Sequence, residues 1–343
     1  MSIDESNIER LLAQFHRKKL DRVPNFEEII GKNQIEAILK REVPGCTRDL
    51  SPNDYVDLAR KIGMDAIVFY SNQNFGGEQY VTGGDSSEQK QFYVNGDIKD
   101  WDDLKRIISV DLDEMTAKLE FFINATAVTN IGICAWVVTA FTRACLNMGY
   151  ESFMYKLYDD YEFIKELFKI QLDNAIREAD AVSAQDISFV TFGDDLTDKN
   201  DFLISPKVLE ELYFPTMKKM VQHVKSRGKP VMFHCCGNLE KVVPYLIDIG
   251  VDAIHPFQSI CNDIYQMKKK YGDKICLVGN IGVTEPLTFG SEADVIADVK
   301  YHIDNLAKTG GYVLCSDHSI ADCIPANNFL AMVNTGHTYG VFK

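Results

Sequence analysis

Short runs of apolar residues alternate along the chain with longer stretches in which apolar residues recur every three or four positions. The short runs are rich in β-branched and aromatic residues and are bounded by Gly, Pro, Asp or Asn, which is typical of buried strands. The runs with this character are Val23–Phe26, Ala66–Tyr70, Gly132–Val138, Ile187–Gly193, Val231–His234, Ala253–Phe257, Ile275–Gly279 and Gly311–Ser316.

Amphipathic helical patterns lie between these runs. One covers Tyr161–Ala179, a second begins at Ser205 with Pro at the first helical position and ends at Gly228, and a third extends from Leu239 to Gly250. Repeated β-α units predict a parallel sheet, and eight of them predict an α/β fold of the closed (β/α)8 TIM barrel type. A doubly wound sheet is the alternative, but no GxGxxG or Walker pattern is present to support it.

Two segments lie outside the repeat. A helical extension precedes the first strand, and Glu78–Gly96 reads as a hairpin inserted after the second strand. Such an insertion lies over the barrel mouth, where it could be a lid, a partner surface or decoration. Because one barrel can use 200 to over 400 residues, we predict a single domain over residues 1–343.

The composition of the chain excludes some classes of binding partner and indicates where the protein is located. The chain has 36 Lys and Arg against 50 Asp and Glu, a net charge of −14, which argues against binding to nucleic acid or to anionic membranes. Neither a signal peptide at the start nor a later apolar run of about 20 residues is visible, so we expect a cytoplasmic protein. The nine cysteines are an odd number and are expected to be mainly reduced, buried thiols.

The most specific motif is the stretch Phe233–Asn238, between a predicted strand and a predicted helix. His234 and Cys236 are two residues apart and point the same way on a strand end, whereas Cys235 points the opposite way. An imidazole and a thiolate that converge suit zinc. The alternative is a buried His with two buried Cys. At the end of the last predicted strand, Cys315 or His318, in the loop that leaves the strand, could be a third ligand.

Other polar residues also follow predicted strands. Asp194 and Asp195 could act as acid and base, as metal ligands or as partners of a metal-bound His, or they could cap a helix. His255, Gln258 and Asn280 could line the pocket or form turns.

Taken together, these stretches resemble the uroporphyrinogen decarboxylase superfamily, which has a (β/α)8 barrel and includes zinc-dependent, corrinoid-dependent methyltransferases. The resemblance covers most of the chain. It is carried by Leu20–Pro24, Ile204–Pro206, Phe233–Asn238, Gly250–Ile254, Gly279–Ile281, Phe289–Gly290, Ser316–Ile320 and Ile324–Asn328.

The decarboxylase branch implies an arginine-rich pocket and an aspartate after the second strand. This chain has Asn72 at the aspartate position, where we expect it to bind substrate, and Asn25–Glu28 in place of the arginine-rich stretch. Acidic side chains would repel a polycarboxylate, so porphyrinogen decarboxylation is disfavoured. The methyltransferase branch implies zinc ligands at His234 and Cys236. In that branch the third ligand is a Cys seven residues before the Pro of a closing Pro-x-x-Asn pattern. In this chain that Pro is Pro325, and the residue seven positions before it is His318.

The sequence therefore predicts a zinc-dependent methyltransferase that moves a methyl group between a small donor, such as a methoxylated aromatic or a methylamine, and a corrinoid (cobalamin) protein. The metal ligands are predicted to be His234, Cys236 and His318, and Asp195 is predicted to be catalytic. The residues predicted to bind substrate are Asp194, Asn72, His255, Gln258 and Asn280. A uroporphyrinogen decarboxylase, a methylcobamide:thiol methyltransferase and a non-catalytic barrel are the alternatives, and the chain could form a homodimer.

Overall fold

The computed structural model describes residues 5–18, 21–71, 78–83 and 90–342. The strands are β1 (Ala66–Tyr70), β2 (Glu78–Gly83), β3 (Lys90–Gly96), β4 (Gly132–Val138), β5 (Phe189–Gly193), β6 (Val231–His234), β7 (Ala253–His255), β8 (Cys276–Val278) and β9 (Tyr312–Val313). The α-helices are α1 (Ile8–Phe15), α2 (Lys32–Leu39), α3 (Pro52–Ile62), α4 (Leu112–Thr126), α5 (Ala140–Met148), α6 (Tyr150–Asp159), α7 (Tyr161–Ser183), α8 (Pro206–Leu212), α9 (Phe214–Ser226), α10 (Val243–Ile249), α11 (Ile264–Tyr271), α12 (Glu292–His302) and α13 (Ala326–Tyr339). Shorter helical turns cover Thr47–Asp49, Asp103–Arg106, Val283–Thr288 and Ile303–Ala307.

A curled parallel sheet organises the fold, with strand order β1-β4-β5-β6-β7-β8-β9. The first predicted strand is a single bridge between Asn25 and Leu314 instead of a ladder, because Pro24 has no N–H to donate. This segment nevertheless joins both edges of the sheet. The Phe26 N–H donates to the Leu314 carbonyl at 3.1 Å, and the Asp65 N–H donates to the Asn25 carbonyl at 3.0 Å. The predicted TIM barrel architecture is confirmed.

The hairpin insertion predicted after Ala66–Tyr70, which is β1 in the structure, is also present. Strands β2 and β3 pair antiparallel with each other and form a sheet separate from the barrel. Among the helices, the prediction from Ser205 to Gly228 was wrong in one respect, since the chain forms α8 and α9 with a break at Tyr213. Pro215 explains the break, because it cannot donate to the carbonyl of Glu211 as a continuous helix would require.

Side chains of the strands alternate between two hydrophobic clusters. Ala66 and Val68 point to the inside of the barrel, where Leu11 and Phe15 of α1 join them. Ile67 and its neighbours on the outward face pack against the helices. Burial on both faces explains why the strands read as continuous apolar runs. Within the described part of the chain, no helix has both the length and the hydrophobicity that a membrane span requires.

Candidate functional site

Polar and thiol side chains collect at the carboxyl ends of the parallel strands, the edge at which barrel enzymes place their active sites. In chain order, these residues are Glu27, Glu28, Tyr70, Asp194, Asp195, His234, Cys236, His255, Gln258, Asn280, Cys315 and His318. Strand pairing brings them together, because neighbouring strands end at the same level of the sheet. Gly193 at the end of β5, for example, lies opposite His234 of β6, which in turn lies opposite His255 of β7.

Two overlapping groups of potential metal ligands form at this edge. In the thiol cluster, which consists of Asp195, His234 and Cys236, one ligand atom of each residue lies within 4.8 Å of the others. The histidine cluster consists of Glu28, His234 and His255 and meets the same criterion. His234 belongs to both clusters. Its Nε2 lies 3.5 Å from Cys236 Sγ and 3.8 Å from Asp195 Oδ1.

The chain turns sharply after Cys236 and holds the thiol cluster in place. Gly237 has φ +90°, and a Cβ atom there would lie 2.5 Å from the carbonyl oxygen of Asp198. Only glycine fits this position without strain. The Gly237 N–H donates to Gln258 Oε1 at 2.7 Å, and the Cys236 N–H donates to Asp195 Oδ1 at 2.9 Å. Gln258 therefore supports the turn, and Asp195 is held against the residue that carries the thiol.

The donor atoms of the thiol cluster fit zinc. With bond lengths of about 2.0 Å to nitrogen and about 2.3 Å to sulfur, a tetrahedral zinc ion separates the two donors by about 3.5 Å. The separation of His234 Nε2 from Cys236 Sγ is 3.5 Å. Burial raises the pKa of the Cys236 thiol far above its ordinary value, and a bound metal would favour the thiolate. Three protein donors would leave a fourth position for substrate, as in catalytic zinc sites.

The structure brings together two of the three predicted metal ligands, His234 and Cys236. His318 is exposed and belongs to neither group of ligand atoms found among the described residues. Cys315, the other candidate for a third ligand, is fully buried and lies with its Sγ 3.4 Å from His255 Nε2. Asp195, which the sequence predicts to be catalytic, completes the thiol cluster, and its catalytic role stays a prediction.

The predicted substrate-binding residues have different surroundings. Asp194 is 1% exposed, and its carboxylate accepts hydrogen bonds from the N–H groups of Phe141 and Thr142 and from the Thr139 hydroxyl. Its carboxylate therefore caps the N-terminus of α5, which is the alternative role that the sequence left open. Burial raises the pKa of Asp194.

Asn280 is also buried at the strand ends. Its side-chain amide donates to the Phe257 carbonyl at 2.8 Å, and its Oδ1 lies 3.0 Å from His302 Nε2. His255 is 1% exposed, and its ring lies against that of His234. Asn72 lies outside the described residues. Substrate binding by these residues stays a prediction.

The sequence analysis did not assign a role in the site to Glu28. Its Oε2 lies 3.7 Å from His234 Nδ1, and its Oε1 accepts a hydrogen bond from the Tyr70 hydroxyl at 3.1 Å. Arg48 lies 3.5 Å from the same Oε1. Glu28 is the second residue after the first predicted strand, so the rule that identified His234, a polar residue at a strand end, could also have identified Glu28.

Glu27 is an acidic residue that is almost completely buried at the strand ends. It is 1% exposed and accepts a hydrogen bond from the Ser316 N–H at 2.9 Å. The Ser316 hydroxyl is within hydrogen-bond distance of both Glu27 Oε2 and the His318 carbonyl. The Ser316 hydroxyl has one hydrogen, and the His318 carbonyl can only accept it. Glu27 must then donate to the Ser316 hydroxyl oxygen, which requires a protonated carboxyl group. Burial raises the pKa of Glu27 to about 8, which agrees with this arrangement.

We expect Glu27→Gln to change how stability depends on pH. The folded chain keeps the Glu27 proton up to a higher pH than the unfolded chain, so wild-type stability should fall as pH rises from about 5 to about 8, by up to about 1.4 kcal/mol per pH unit. Gln mimics the protonated acid and does not titrate. Urea unfolding of both proteins across this range measures the difference in slope, and equal slopes would show that Glu27 is ionised in the folded chain.

Comparisons with known proteins place the chain among enzymes with this fold. The family model "Uroporphyrinogen decarboxylase (URO-D)" matches residues 7–339. No curated protein matches the chain. A solved methyltransferase from Methanosarcina mazei is 17% identical, with a TM-score of 0.73, and the match covers 98% of this chain and 99% of that one. A xylose isomerase-like TIM barrel protein from Mycobacterium smegmatis is 14% identical, with a TM-score of 0.42 and coverage of 92% and 97%.

Proposed function

Since the chain belongs to the uroporphyrinogen decarboxylase family, we propose that it uses this barrel as a zinc-dependent methyltransferase and not as a porphyrinogen decarboxylase. The observation that carries the proposal is the thiol cluster at the barrel mouth, in which His234, Cys236 and Asp195 present nitrogen, sulfur and oxygen donors within 4.8 Å. The fold shared with a methyltransferase from Methanosarcina mazei is compatible with this activity.

His234 Nε2 and Cys236 Sγ would hold the zinc ion, and Asp195 Oδ1 would be the third donor. When bound, zinc acts as a Lewis acid that activates a thiol or polarises the heteroatom next to a methyl group. The Asp195 side chain is 38% exposed, against 13% for His234. Asp195 is thus the more accessible of these two, and its second carboxylate oxygen can also hold the substrate. A metal-bound carboxylate is ionised, so Asp195 could donate a proton to the leaving group only when it is not bound to the metal.

The charges around the cluster favour a neutral or cationic substrate. Glu28, Asp195 and Asp317 lie at the carboxyl ends of the strands, and Arg48 is already close to the Glu28 carboxylate. A porphyrinogen with many carboxylates would meet repulsion at this edge. A methoxylated aromatic or a methylamine would not, and a corrinoid protein as the methyl acceptor would supply the cobalt chemistry.

The first test uses the purified chain of residues 1–343. We expect about one zinc ion per chain and methyl transfer to reduced free cobalamin from at least one member of a panel of methoxylated aromatics and methylamines. Methylcobalamin with a thiol acceptor tests the opposite direction of transfer. Release of carbon dioxide from uroporphyrinogen by the metal-free protein, without methyl transfer, would contradict the proposal.

A further inference from the structure

We propose that His255 is a positioning residue that fixes the tautomer of His234. His234 Nε2, the nitrogen that faces Cys236 and Asp195, is then always the one without a hydrogen. The inference rests on the proposed function for the identity of the metal, but its central observation is independent of any activity. The two imidazole rings meet through their Nδ1 atoms, which are 2.8 Å apart.

The short distance identifies this contact as a hydrogen bond. Two nitrogen ligands of one tetrahedral zinc ion, each about 2.0–2.1 Å from the metal, lie about 3.3 Å apart. A separation of 2.8 Å between His234 Nδ1 and His255 Nδ1 is shorter than that and is typical of a hydrogen bond. One hydrogen must lie between the two nitrogens, because two lone pairs or two N–H groups at this distance would repel.

The surroundings of His234 determine which ring donates. Its Nε2 faces Cys236 and Asp195, and an imidazole nitrogen binds a metal through its lone pair. In a neutral imidazole the hydrogen must then be on Nδ1. The Glu28 carboxylate lies 3.7 Å from the same Nδ1 and favours a hydrogen there. His234 is therefore the donor, and His255 Nδ1 is the acceptor.

The partner of the other ring nitrogen of His255, Nε2, agrees with His234 as donor and His255 as acceptor. If its Nδ1 accepts, its own hydrogen is on Nε2, which lies 3.4 Å from Cys315 Sγ. The Cys315 thiol can in turn donate to Glu27 Oε2, at 3.7 Å. His255 is 1% exposed and Cys315 is fully buried. Each donor along this line thus meets an acceptor, and burial shields the line from bulk water, which could otherwise supply other partners.

The tautomer itself can be measured. Long-range nitrogen–proton NMR of zinc-free protein labelled with ¹⁵N-histidine distinguishes the two ring nitrogens, and loss of one set of signals in His234→Ala assigns them. We expect His234 to carry its hydrogen on Nδ1. A hydrogen on Nε2 of His234 in the zinc-free protein would overturn the proposal.

Two variants separate the hydrogen bond from packing. His255→Asn keeps an acceptor, because Asn Oδ1 can occupy the place of Nδ1, whereas His255→Leu fills the space without an acceptor. Loss of such an outer partner typically weakens metal binding by about 10- to 100-fold. We expect this loss of zinc affinity in His255→Leu and an affinity close to wild type in His255→Asn, measured by competition with a chelator on protein shown by circular dichroism to be folded.

Other outcomes would overturn the inference or the proposed function separately. Equal losses in both variants would indicate packing alone, and no loss in either would remove the positioning role. A wild-type chain that binds no zinc would contradict the proposed function, while the NMR spectrum of the same sample would still decide the tautomer. Zinc binding and methyl transfer together with a hydrogen on His234 Nε2 would refute only the positioning role.

Discussion

His234→Ala is expected to lose stoichiometric zinc and to lower methyl transfer by at least about 100-fold, since Lewis-acid activation contributes several kcal/mol and each 1.4 kcal/mol is tenfold in rate. His234 supplies the nitrogen donor of the thiol cluster, so no other single residue should have a larger effect on metal content. Zinc content is measured by elemental analysis, and methyl transfer is measured from the absorbance change of reduced cobalamin.

Two matched controls make this result specific. His318→Ala removes an exposed imidazole that belongs to neither the thiol cluster nor the histidine cluster, and we expect it to keep its zinc. Cys236→Ser should lose zinc, whereas Cys323→Ser, at an exposed cysteine, should not. If His318→Ala lost its zinc as His234→Ala does, the ligand set predicted from the sequence would be right and the role of Asp195 as third donor would be wrong. Full activity of His234→Ala would refute the zinc mechanism altogether.

Arg143→Met is expected to lower the free energy of unfolding by about 3–5 kcal/mol, the usual cost of breaking a buried ion pair. Arg143 of α5 donates from both terminal nitrogens to Glu178 of α7, at 2.9 and 2.8 Å. The side chains are 2% and 0% exposed. The Ser71 hydroxyl, after β1, donates to the same carboxylate at 2.7 Å. The variant leaves this carboxylate buried without the guanidinium, and chemical denaturation measures the loss.

The charge and the packing are separated by a second variant. Arg143→Met combined with Glu178→Gln removes the uncompensated charge and is expected to recover part of the loss. Lys218→Met breaks the pair with Asp248, whose side chains are 43% and 74% exposed, and should cost no more than about 1 kcal/mol. Equal effects of Arg143→Met and Lys218→Met would show that the Arg143–Glu178 pair contributes no more to stability than a surface pair.

Local patterns in the sequence determined the architecture. Alternating apolar runs and amphipathic stretches predicted the parallel α/β barrel, because burial of both faces of a strand leaves a continuous apolar run whatever its neighbours are. The hairpin insertion and the pair His234 and Cys236 were also readable, since residues two apart on a strand end share a face. The pattern predicted the strand at Pro24 and the helix at Pro215 less exactly. Proline has no N–H to donate, so a backbone hydrogen bond to another residue is lost there although the apolar pattern continues.

The composition of the site was decided by the tertiary structure. Asp195 and Glu28 reach His234 from different strand ends, and the spacing along the chain does not record the curl of the sheet that joins them. The same holds for His255, whose contact with His234 depends on the pairing of β6 with β7. Asp194 and Asp195 are adjacent in sequence, yet Asp194 caps a helix and Asp195 is part of the thiol cluster. Sequence supplied the chemical groups, and the closing of the sheet decided which of them meet, because contacts between distant segments depend on three-dimensional packing.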